Sequence, residues 1–334
     1  MRVQLIGEAN GGGISRDLAL LGAALRACGC EVSVRSCGKP ERRQRRSRLV
    51  QWRIGAALRR RRRGMTRASG SAPAVNIAVD IDVNVMLEHV WPQFLPQARY
   101  NVVVPNPEWF DPRDVRYLSV FDYVWAKTAF AERLFRERGC ATALIGFDSE
   151  DRATAGVSRL HQFLHVAGRS PLKGTARLAA LWRRHPEWPP LTLVQDALSP
   201  ATALPEGNSA SNVVWHRDYL SDETLRQMQN AHRFHVCTSE AEGWGHYIAE
   251  AMSVGAVTMT CDAAPMNELI APGRGMRVAA MPGVMHNLAR LALFDEAALE
   301  AAVSQVLGLG TPQLEAIGAA ARDWFLENKA GFAP

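Results

Sequence analysis

Short apolar runs alternate with amphipathic segments along most of this chain. The first run, Arg2 to Ile6, is typical of a buried strand, and a glycine loop separates it from a helical pattern over residues 15–28. Glu31 to Val34 is the next strand pattern. A strand, a glycine loop, a helix and a second strand in this order begin many parallel sheets. The pattern therefore predicts an α/β domain in this part of the chain.

Further strand and helix patterns follow in the same order. The predicted strands cover residues 75–79, 100–104, 123–126, 142–146, 161–167, 191–194, 212–215, 235–238 and 256–260. Side chains suited to a helix N-cap stand before the predicted helices, at Ser15, Asp111, Thr128, Thr175 and Ser221. Helices are also predicted over most of 284–328. Because a polar, irregular stretch at 148–156 separates two such series, we predict two α/β domains, residues 1–150 and 157–334.

Two glutamates, Glu242 and Glu250, lie eight positions apart in the most distinctive segment of the chain. They flank a glycine-framed turn, which consists of Gly243, Trp244, Gly245 and His246, and the start of a predicted helix. Backbone amides at a helix N-terminus favour an anion, and a carboxylate can accept hydrogen bonds from two neighbouring hydroxyls. The segment could therefore bind a sugar, a ribose and a phosphate together. A helix start with one buried glutamate would give the same spacing.

Two cations lie in the loop after the predicted strand at 161–167. Arg169 and Lys173 are four positions apart, between Gly168 and Gly174. Arginine offers a planar fork and lysine a point charge, a combination that suits a diphosphate. The glycine and lysine spacing is not that of a P-loop. A solvent-facing loop is the alternative interpretation.

The N-terminal half offers further candidates near predicted strand ends. The loop of Gly11, Gly12 and Gly13 would let the backbone approach a ligand at a helix N-terminus, although it lacks the spacing of the dinucleotide fingerprint. Ligands of α/β sheets gather beyond the carboxyl ends of the strands. The residues near such ends are His89, Asn106 and Glu108, which are therefore candidates for a ligand site. For His89 a structural role is an equal alternative.

The run E-G-W-G-x4-E-A-M-x2-G, which begins at Glu242, resembles the Glu-x7-Glu signature of GT-B glycosyltransferases, most closely glycosyltransferase family 4. The Gly-Arg and Lys-Gly elements at 168–174 and the glycine loop at 11–13 resemble donor-binding elements of that family. The resemblance implies the GT-B arrangement, in which two Rossmann-like domains face each other across a cleft. It also implies a terminal helix that crosses back to the first domain.

The resemblance implies a retaining glycosyltransferase that moves a sugar from a nucleotide-sugar donor to a glycan or lipid-linked acceptor. Arg169 and Lys173 would hold the donor diphosphate, Glu250 the ribose and Glu242 the transferred sugar. The amides at 11–13 and 243–246 would complete the phosphate site. The acceptor would lie beside His89, Asn106 and Glu108. His89 is a further catalytic candidate, while Asn106 stands where family members often carry a histidine. Two alternatives stay open: a non-catalytic partner of another transferase, which binds a nucleotide sugar or a membrane, and a sugar-nucleotide epimerase.

We expect neither a metal nor another cofactor. Asp80 and Asp82 form a DxD pattern like that of the other large glycosyltransferase fold, but DxD is frequent by chance and the parallel-sheet pattern belongs to the metal-free fold. The cations and amides of the predicted site can neutralise a leaving diphosphate instead. The six cysteines show no CxxC pair and no zinc spacing, and reduced core thiols are expected.

Charge is distributed unevenly along the chain. Of the net charge of +6, residues 39–67 contribute +12, and the remainder carries −6. Lysine and arginine near an anionic membrane contribute about 1 kcal/mol each, so a membrane surface is the favoured partner of residues 42–63. An anionic acceptor ranks second and nucleic acid third, because no nucleic-acid motif accompanies the charge. A solvated loop is the remaining alternative.

The apolar runs are too short for a membrane-spanning helix, which needs about 18 apolar residues. The N-terminal run is also too short for a signal peptide. We therefore expect a cytoplasmic protein, bound peripherally at the inner face of the membrane.

Overall fold

The computed structural model describes residues 1–9, 11–38, 80–196, 212–218 and 220–332. These residues form two compact units, Met1–Gly146 with Phe332, and Phe147–Gly331, each built around one parallel sheet. The basic segment at 39–67 and the strand predicted at 75–79 lie outside the described residues.

The first unit contains six described strands, all parallel. They are β1 (Arg2–Gly7), β2 (Glu31–Ser36), β3 (Ile81–Leu87), β4 (Ala98–Val104), β5 (Tyr123–Ala126) and β6 (Thr142–Leu144). Their order in the sheet is β2-β1-β3-β4-β5-β6. The helical elements are α1 (Gly13–Ala27), α2 (Ala129–Arg136) and 3-10 helices at Pro92–Gln97 and Pro112–Val120. Because the strands are parallel, their carboxyl ends meet at one edge of the sheet.

Strand β3 was not predicted at its observed position, although it pairs with both β1 and β4 at the centre of the sheet. The reason is a polar residue in the middle of a buried strand. The Asn84 side chain is fully buried and donates to Asn101 Oδ1 at 3.1 Å and to the Phe94 carbonyl at 2.6 Å. These hydrogen bonds stabilise the buried amide, but the polar residue interrupts the apolar run on which strand prediction depends.

Helix starts follow the predicted caps at three sites and differ at two. The side chains of Asp111, Thr128 and Ser221 accept backbone amides of the first turn, as expected. Helix α1 instead begins two residues early, with Gly12 as the N-cap, so Ser15 lies inside the helix and accepts the Gly11 amide at 2.9 Å. Glycine also replaces the cap predicted at Thr175, as described below.

The second unit repeats the architecture with six described parallel strands. They are β7 (Leu160–Gly168), β8 (Leu191–Gln195), β9 (Val213–His216), β10 (His232–Cys237), β11 (Val257–Cys261) and β12 (Met276–Val278). The strand order is β12-β11-β10-β7-β8-β9. The helices are α3 (Thr175–Arg183), α4 (Asp222–Ala231), α5 (His246–Ser253), α6 (Met266–Leu269), α7 (Glu296–Leu307) and α8 (Thr311–Phe332).

The predicted helix content of 284–328 is wrong in its first part. Strands β13 (Ala280–His286) and β14 (Ala289–Phe294) form an antiparallel hairpin, and helices occupy only the remainder. Pro282 and Gly283 lie in β13 beside a shift in register, where a strand tolerates residues that usually break it. These two residues concealed the strand pattern.

Helix α8, at 22 residues the longest described helix, packs closely on the second unit. A Cβ atom on Gly318 would lie 2.3 Å from the carbonyl oxygen of Gly255, so no larger residue fits there. Arg322 then donates to both carboxylate oxygens of Asp151, at 2.6 and 2.8 Å, and to the Ser253 carbonyl at 2.7 Å. Neither α8 nor any other described helix has the length and apolarity needed to cross a bilayer.

Candidate functional site

The loop after β7 is held against the loop after its neighbour β10. The Glu240 amide donates to the Leu172 carbonyl at 2.8 Å, and the Thr238 hydroxyl donates to the Lys173 carbonyl at 3.0 Å. Gly174 adopts a left-handed conformation with φ of 66°, and a Cβ there would lie 2.8 Å from the Thr238 carbonyl oxygen. Glycine is required at this position because it is both the N-cap of α3 and the point where the loops touch.

This contact places Lys173 beside Glu242. The ammonium group forms an ion pair with Glu242 Oε1, which also accepts the hydroxyl of Ser239. The Lys173 and Glu242 side chains are 13% and 12% exposed, so solvent reaches both. The structure therefore brings together two predicted site residues from different loops, at the carboxyl edge of the second sheet.

Tyr247 lies beneath this pair, and sequence reasoning missed it. The Lys173 ammonium lies 3.8 Å from the centre of the tyrosine ring, and the Tyr247 hydroxyl is 2.6 Å from Ser239 Oγ. Burial, together with the negative charge of Glu242, raises the pKa of Tyr247 well above its usual value of 10. Tyr247 is therefore neutral, and its ring forms a cation–π contact with the Lys173 ammonium. Its hydroxyl and the Glu242 carboxylate both hydrogen-bond to Ser239.

A neutral histidine supports the same loop from below. His165 Nδ1 lies 2.7 Å from the Val236 carbonyl, which can only accept, so this nitrogen carries the proton. His165 Nε2 then accepts the hydroxyl of Thr175 at 2.9 Å. Burial lowers the pKa of His165 to about 4, with a further decrease caused by Lys173. Thr175, predicted as a cap, is instead fixed by this histidine.

The turn before α5 has the predicted position at a helix N-terminus. Gly245, with φ of 104°, is the N-cap residue, and α5 begins at His246. The Trp244 indole donates to Ser149 Oγ at 3.1 Å, and Ser149 Oγ lies 2.9 Å from His246 Nδ1. The two side chains of the turn thus point to the chain segment at 147–149. The proposed anion contact would involve the turn's backbone.

Glu250 lies deeper than Glu242. Its side chain belongs to α5, the residue is 2% exposed, and Oε2 accepts the Gln229 amide at 3.0 Å. The two glutamates of the motif therefore have different surroundings: Glu242 is paired with a lysine in a partly buried position, and Glu250 is held by a neutral amide in the interior.

Arg169 lies apart from the Lys173 group in its interactions. Its guanidinium donates through Nε to Asp196 Oδ2 at 2.6 Å, and its side chain is 66% exposed. Asp196 follows strand β8, so this pair belongs to the same carboxyl edge. An exposed arginine of this kind can change partner at little cost, because surface ion pairs contribute about 1 kcal/mol or less.

The carboxyl edge of the first sheet carries a second charged group. Lys127, after β5, forms an ion pair with Asp17 of α1 and donates to Asn106 Oδ1 at 2.9 Å. The amide of Asn106 donates in turn to Glu88 Oε2 at 3.1 Å. Asn106 was predicted, whereas Asp17, Glu88 and Lys127 were missed because each stands alone in the sequence.

The other acceptor-side candidates surround this group. His89 Nε2 lies 3.3 Å from Glu88 Oε1, and its ring meets Trp91 edge-on at 5.8 Å between centroids. Glu88 has a left-handed backbone with φ of 64°, unusual for a residue with a side chain. Glu108 is buried. At the start of α1, Gly11, Gly12 and Gly13 are exposed, and their role toward a donor stays a prediction.

Asp80 and Asp82 lie at the opposite edge of the first sheet, where β3 begins. Asp82 Oδ2 accepts the backbone amide of Arg2 at 2.7 Å, and Asp80 Oδ1 lies 3.8 Å from the Arg2 guanidinium. The DxD pattern is thus engaged with the start of β1. Within the described ranges, no group of three or more His, Cys, Asp or Glu side chains has the arrangement of a metal site. The described cysteines are all free, but only Cys237 and Cys261 are buried, so the expectation of core thiols holds for these two.

Comparison with solved structures identifies the fold. The chain is similar to sucrose-phosphate synthase from Thermosynechococcus elongatus (TM-score 0.67, 14% identity, 99% of this chain and 96% of that chain). It is also similar to HepE from Anabaena in complex with UDP (TM-score 0.63, 14% identity, 99% and 96%). The pneumococcal O-GlcNAc transferase GtfA, in complex with UDP and GlcNAc, is matched over 75% of this chain (TM-score 0.57, 13% identity).

These similarities show that the chain has the two-domain, Rossmann-like α/β fold of GT-B glycosyltransferases, as predicted. It spans 55% of the length of the pneumococcal transferase and nearly all of the other two proteins. No protein-family model matches the sequence. No curated protein matches it either.

Proposed function

We propose that this protein is a glycosyltransferase that uses a nucleotide-sugar donor. The observation that carries the proposal is the solvent-accessible pair of Lys173 and Glu242 at the carboxyl edge of the second sheet, the edge at which α/β proteins bind ligands. Glu242 opens the Glu-x7-Glu motif, beside the glycine turn that precedes α5, and Lys173 reaches it from the loop after β7. Proteins of the same fold have been solved with UDP and with UDP-glucose, which supports the choice of ligand.

In this proposal Lys173 exchanges its ion pair with Glu242 for the donor diphosphate. Arg169 leaves Asp196 and adds a second cation. Glu242, released from the lysine, accepts hydroxyls of the transferred sugar, and Glu250 accepts those of the ribose. The backbone amides of the turn at 243–246 bind phosphate oxygens at the positive end of α5. The cations and backbone amides thus bind the negative phosphate oxygens, and the two carboxylates accept hydrogen bonds from hydroxyls.

We further propose that transfer proceeds without a metal ion and with retention at the anomeric carbon, as in family 4. The two cations and the helix-end amides would stabilise the negative charge that develops on the leaving diphosphate. In the mechanism that the resemblance implies, the acceptor hydroxyl attacks from the side that the diphosphate leaves, and the departing phosphate takes the proton. No separate nucleophile is then needed, and Glu242 orients the sugar.

Three side chains of the first unit form the candidate acceptor site. Glu88, His89 and Asn106 lie together at the carboxyl edge of the first sheet and offer carboxylate, imidazole and amide groups to acceptor hydroxyls. A glycan or lipid-linked acceptor fits these groups. The +12 charge of residues 39–67 would bring the protein to an anionic membrane, in the cytoplasm at the inner face. Replacing Arg59 to Arg63 by serine should then reduce binding to anionic vesicles and leave donor binding intact.

A thermal-shift screen against UDP, GDP, dTDP and CMP sugars tests the proposal, because a ligand that binds only the folded state raises its stability. We expect one donor class to raise the melting temperature. NMR of the product made from that donor, with a chelator present, then determines the configuration. Binding without transfer or hydrolysis would favour the non-catalytic partner, and an altered nucleotide sugar would favour the epimerase. An inverted product, or activity lost with the chelator, would contradict the proposed mechanism.

A further inference from the structure

A completely buried arginine lies next to the candidate donor site, and no motif includes it. Arg152 has no exposed side-chain surface, and its guanidinium donates to Asp222 Oδ1 at 2.7 Å and to the Asp222 carbonyl at 3.1 Å. Glu150 Oε2 lies 3.3 Å from the same guanidinium. Because both acids are about half or more exposed, they balance the buried charge from the surface side.

The inner side of the guanidinium faces Gln229. Arg152 Nε donates to Gln229 Oε1 at 2.8 Å, and Gln229 Nε2 donates to Glu250 Oε2 at 3.0 Å. The arginine can only donate, so the oxygen of the amide must face it and the nitrogen must face the glutamate. The orientation of the Gln229 amide is therefore determined by Arg152, and that amide holds the carboxylate of Glu250.

The same residues also fix the backbone of α5. The Arg152 amide donates to Ser253 Oγ at 3.0 Å, and Ser253 Oγ donates to the Glu250 carbonyl at 2.7 Å. Asn230, next to Gln229, donates to the Arg152 carbonyl at 2.8 Å. Both the side chain and the backbone of Glu250 are thus held by bonds that begin at one arginine.

We propose that Gln229 and Arg152 are positioning residues that hold Glu250 ready to accept the two hydroxyls of a ribose, and so make the site selective for ribonucleotide donors. This inference rests on the proposed function. A direct Arg152–Glu250 ion pair would neutralise the carboxylate, whereas the intervening neutral amide fixes its direction and leaves it an anionic acceptor. Hydrogen bonds to a charged acceptor are stronger than neutral ones. A vicinal diol that meets a fixed carboxylate also pays less ordering entropy.

The test compares UDP with 2′,3′-dideoxy-UDP by isothermal titration calorimetry, with wild-type protein and Gln229→Met. GDP or CMP, each with its dideoxy form, takes the place of UDP should the screen select that base, and selection of dTDP, which lacks the 2′ hydroxyl, would overturn the inference. Wild-type protein should lose about tenfold or more in affinity when both hydroxyls are removed. In Gln229→Met, UDP should bind correspondingly more weakly, the dideoxy form should bind as before, and the ratio of the two dissociation constants should fall to within about threefold.

Gln227→Met is the matched control, since Gln227 lies on the same helix, is exposed and contacts Glu223 at 2.8 Å. It should keep the wild-type ratio. Gln229→Asn, which is one methylene shorter, replaces Gln229→Met should the latter fail to fold by circular dichroism. A purely structural Gln229 would weaken both nucleotides equally, and an unchanged ratio would overturn the inference. Equal affinity of wild-type protein for UDP and for its dideoxy form would also overturn the inference. The absence of any nucleotide binding would overturn the proposed function itself.

Discussion

Each of the two units has a lysine paired with a carboxylate at the carboxyl edge of its sheet, but the two pairs differ in their access to solvent. Lys127 and Asp17 in the first unit are each 3% exposed, and Lys173 and Glu242 in the second are 13% and 12% exposed. The first pair connects a helix with a strand end. The second connects two loops.

This difference in burial predicts a structural role for the first pair and supports the binding role proposed for the second. A sealed ion pair cannot exchange its partner for a ligand, and losing one member leaves an uncompensated charge in the interior. A pair that solvent reaches can exchange a carboxylate for a phosphate at low cost. Similar residues at equivalent edges are therefore expected to respond differently to substitution: the first unit through stability, and the second through binding.

The largest expected effect is on the first pair. Asp17→Ala should lower the free energy of unfolding by about 3–5 kcal/mol, because the buried Lys127 charge loses its partner. Urea denaturation followed by circular dichroism measures the change. The double variant Asp17→Asn/Lys127→Met removes both charges and should recover most of the loss. A single variant as stable as wild type would mean that the pair is not sealed in solution.

The next largest effect is a dependence of the free energy of unfolding on pH, caused by His165 in the second unit. His165 is neutral in the folded state, where its pKa is about 4, and has an ordinary value of 6.5 when unfolded. The unfolded state therefore binds more protons between these values, and stability should fall as the pH decreases from 6.5 toward about 4. The full contribution is about 3 kcal/mol, at about 1.4 kcal/mol per pKa unit.

Urea denaturation at several pH values measures this dependence. His165→Asn, which cannot titrate, should reduce the slope, and the remaining slope should include His235, whose pKa burial lowers to about 3. His161→Asn, at an exposed position of the same strand, should keep the wild-type slope. Equal slopes in both variants would show that His165 is accessible to protons in the folded protein.

The third effect is on ligand binding. Lys173→Ala should weaken the binding of the donor identified by the screen by about ten- to a hundredfold, because one or more charge-assisted hydrogen bonds are lost. The melting temperature without ligand should fall less than in Asp17→Ala, since the Lys173–Glu242 pair is less buried than the Lys127–Asp17 pair. Titration calorimetry gives the affinity, with exposed Arg290→Ala as the control for charge. Unchanged affinity would remove Lys173 from the donor site.

The smallest effect concerns the backbone of Glu88. Both Glu88→Ala and Glu88→Gly lose the hydrogen bond from Asn106, but only glycine relieves the left-handed conformation. We expect the glycine variant to be more stable than the alanine variant by about 1 kcal/mol. Urea denaturation of the two proteins measures the difference. Equal stability would mean that the left-handed backbone of this residue carries no strain.

Much of the fold could be predicted because both sheets follow simple apolar periodicity with clear helix caps. The exceptions have physical causes: Asn84 interrupts β3, and Pro282 and Gly283 interrupt β13. In each case pairing with neighbouring strands outweighs the local preference, and only the three-dimensional structure contains that information.

The candidate site was predictable in part for a related reason. Glu242 and Glu250 belong to one contiguous motif, and Lys173 lies between glycines in a short loop, so their spacing is visible. Arg152 and Gln229 are 77 positions apart and belong to no such pattern. Lys127 and Asp17 are separated by 110 positions. Pairs of this kind become visible only when the sheet brings their elements together.

Because Gly318 lies against the backbone of Gly255, residue 318 should tolerate substitution poorly. A single added methyl group at residue 318 would collide with a backbone carbonyl and push α8 outward. Arg322, one turn further along, would then be displaced from Asp151, which precedes Arg152 in the chain, and from Ser253, whose hydroxyl accepts the Arg152 amide. A lineage that kept the donor residues but replaced Gly318 would therefore have to remodel the whole terminal helix, so this glycine should distinguish close relatives from proteins that share only the fold.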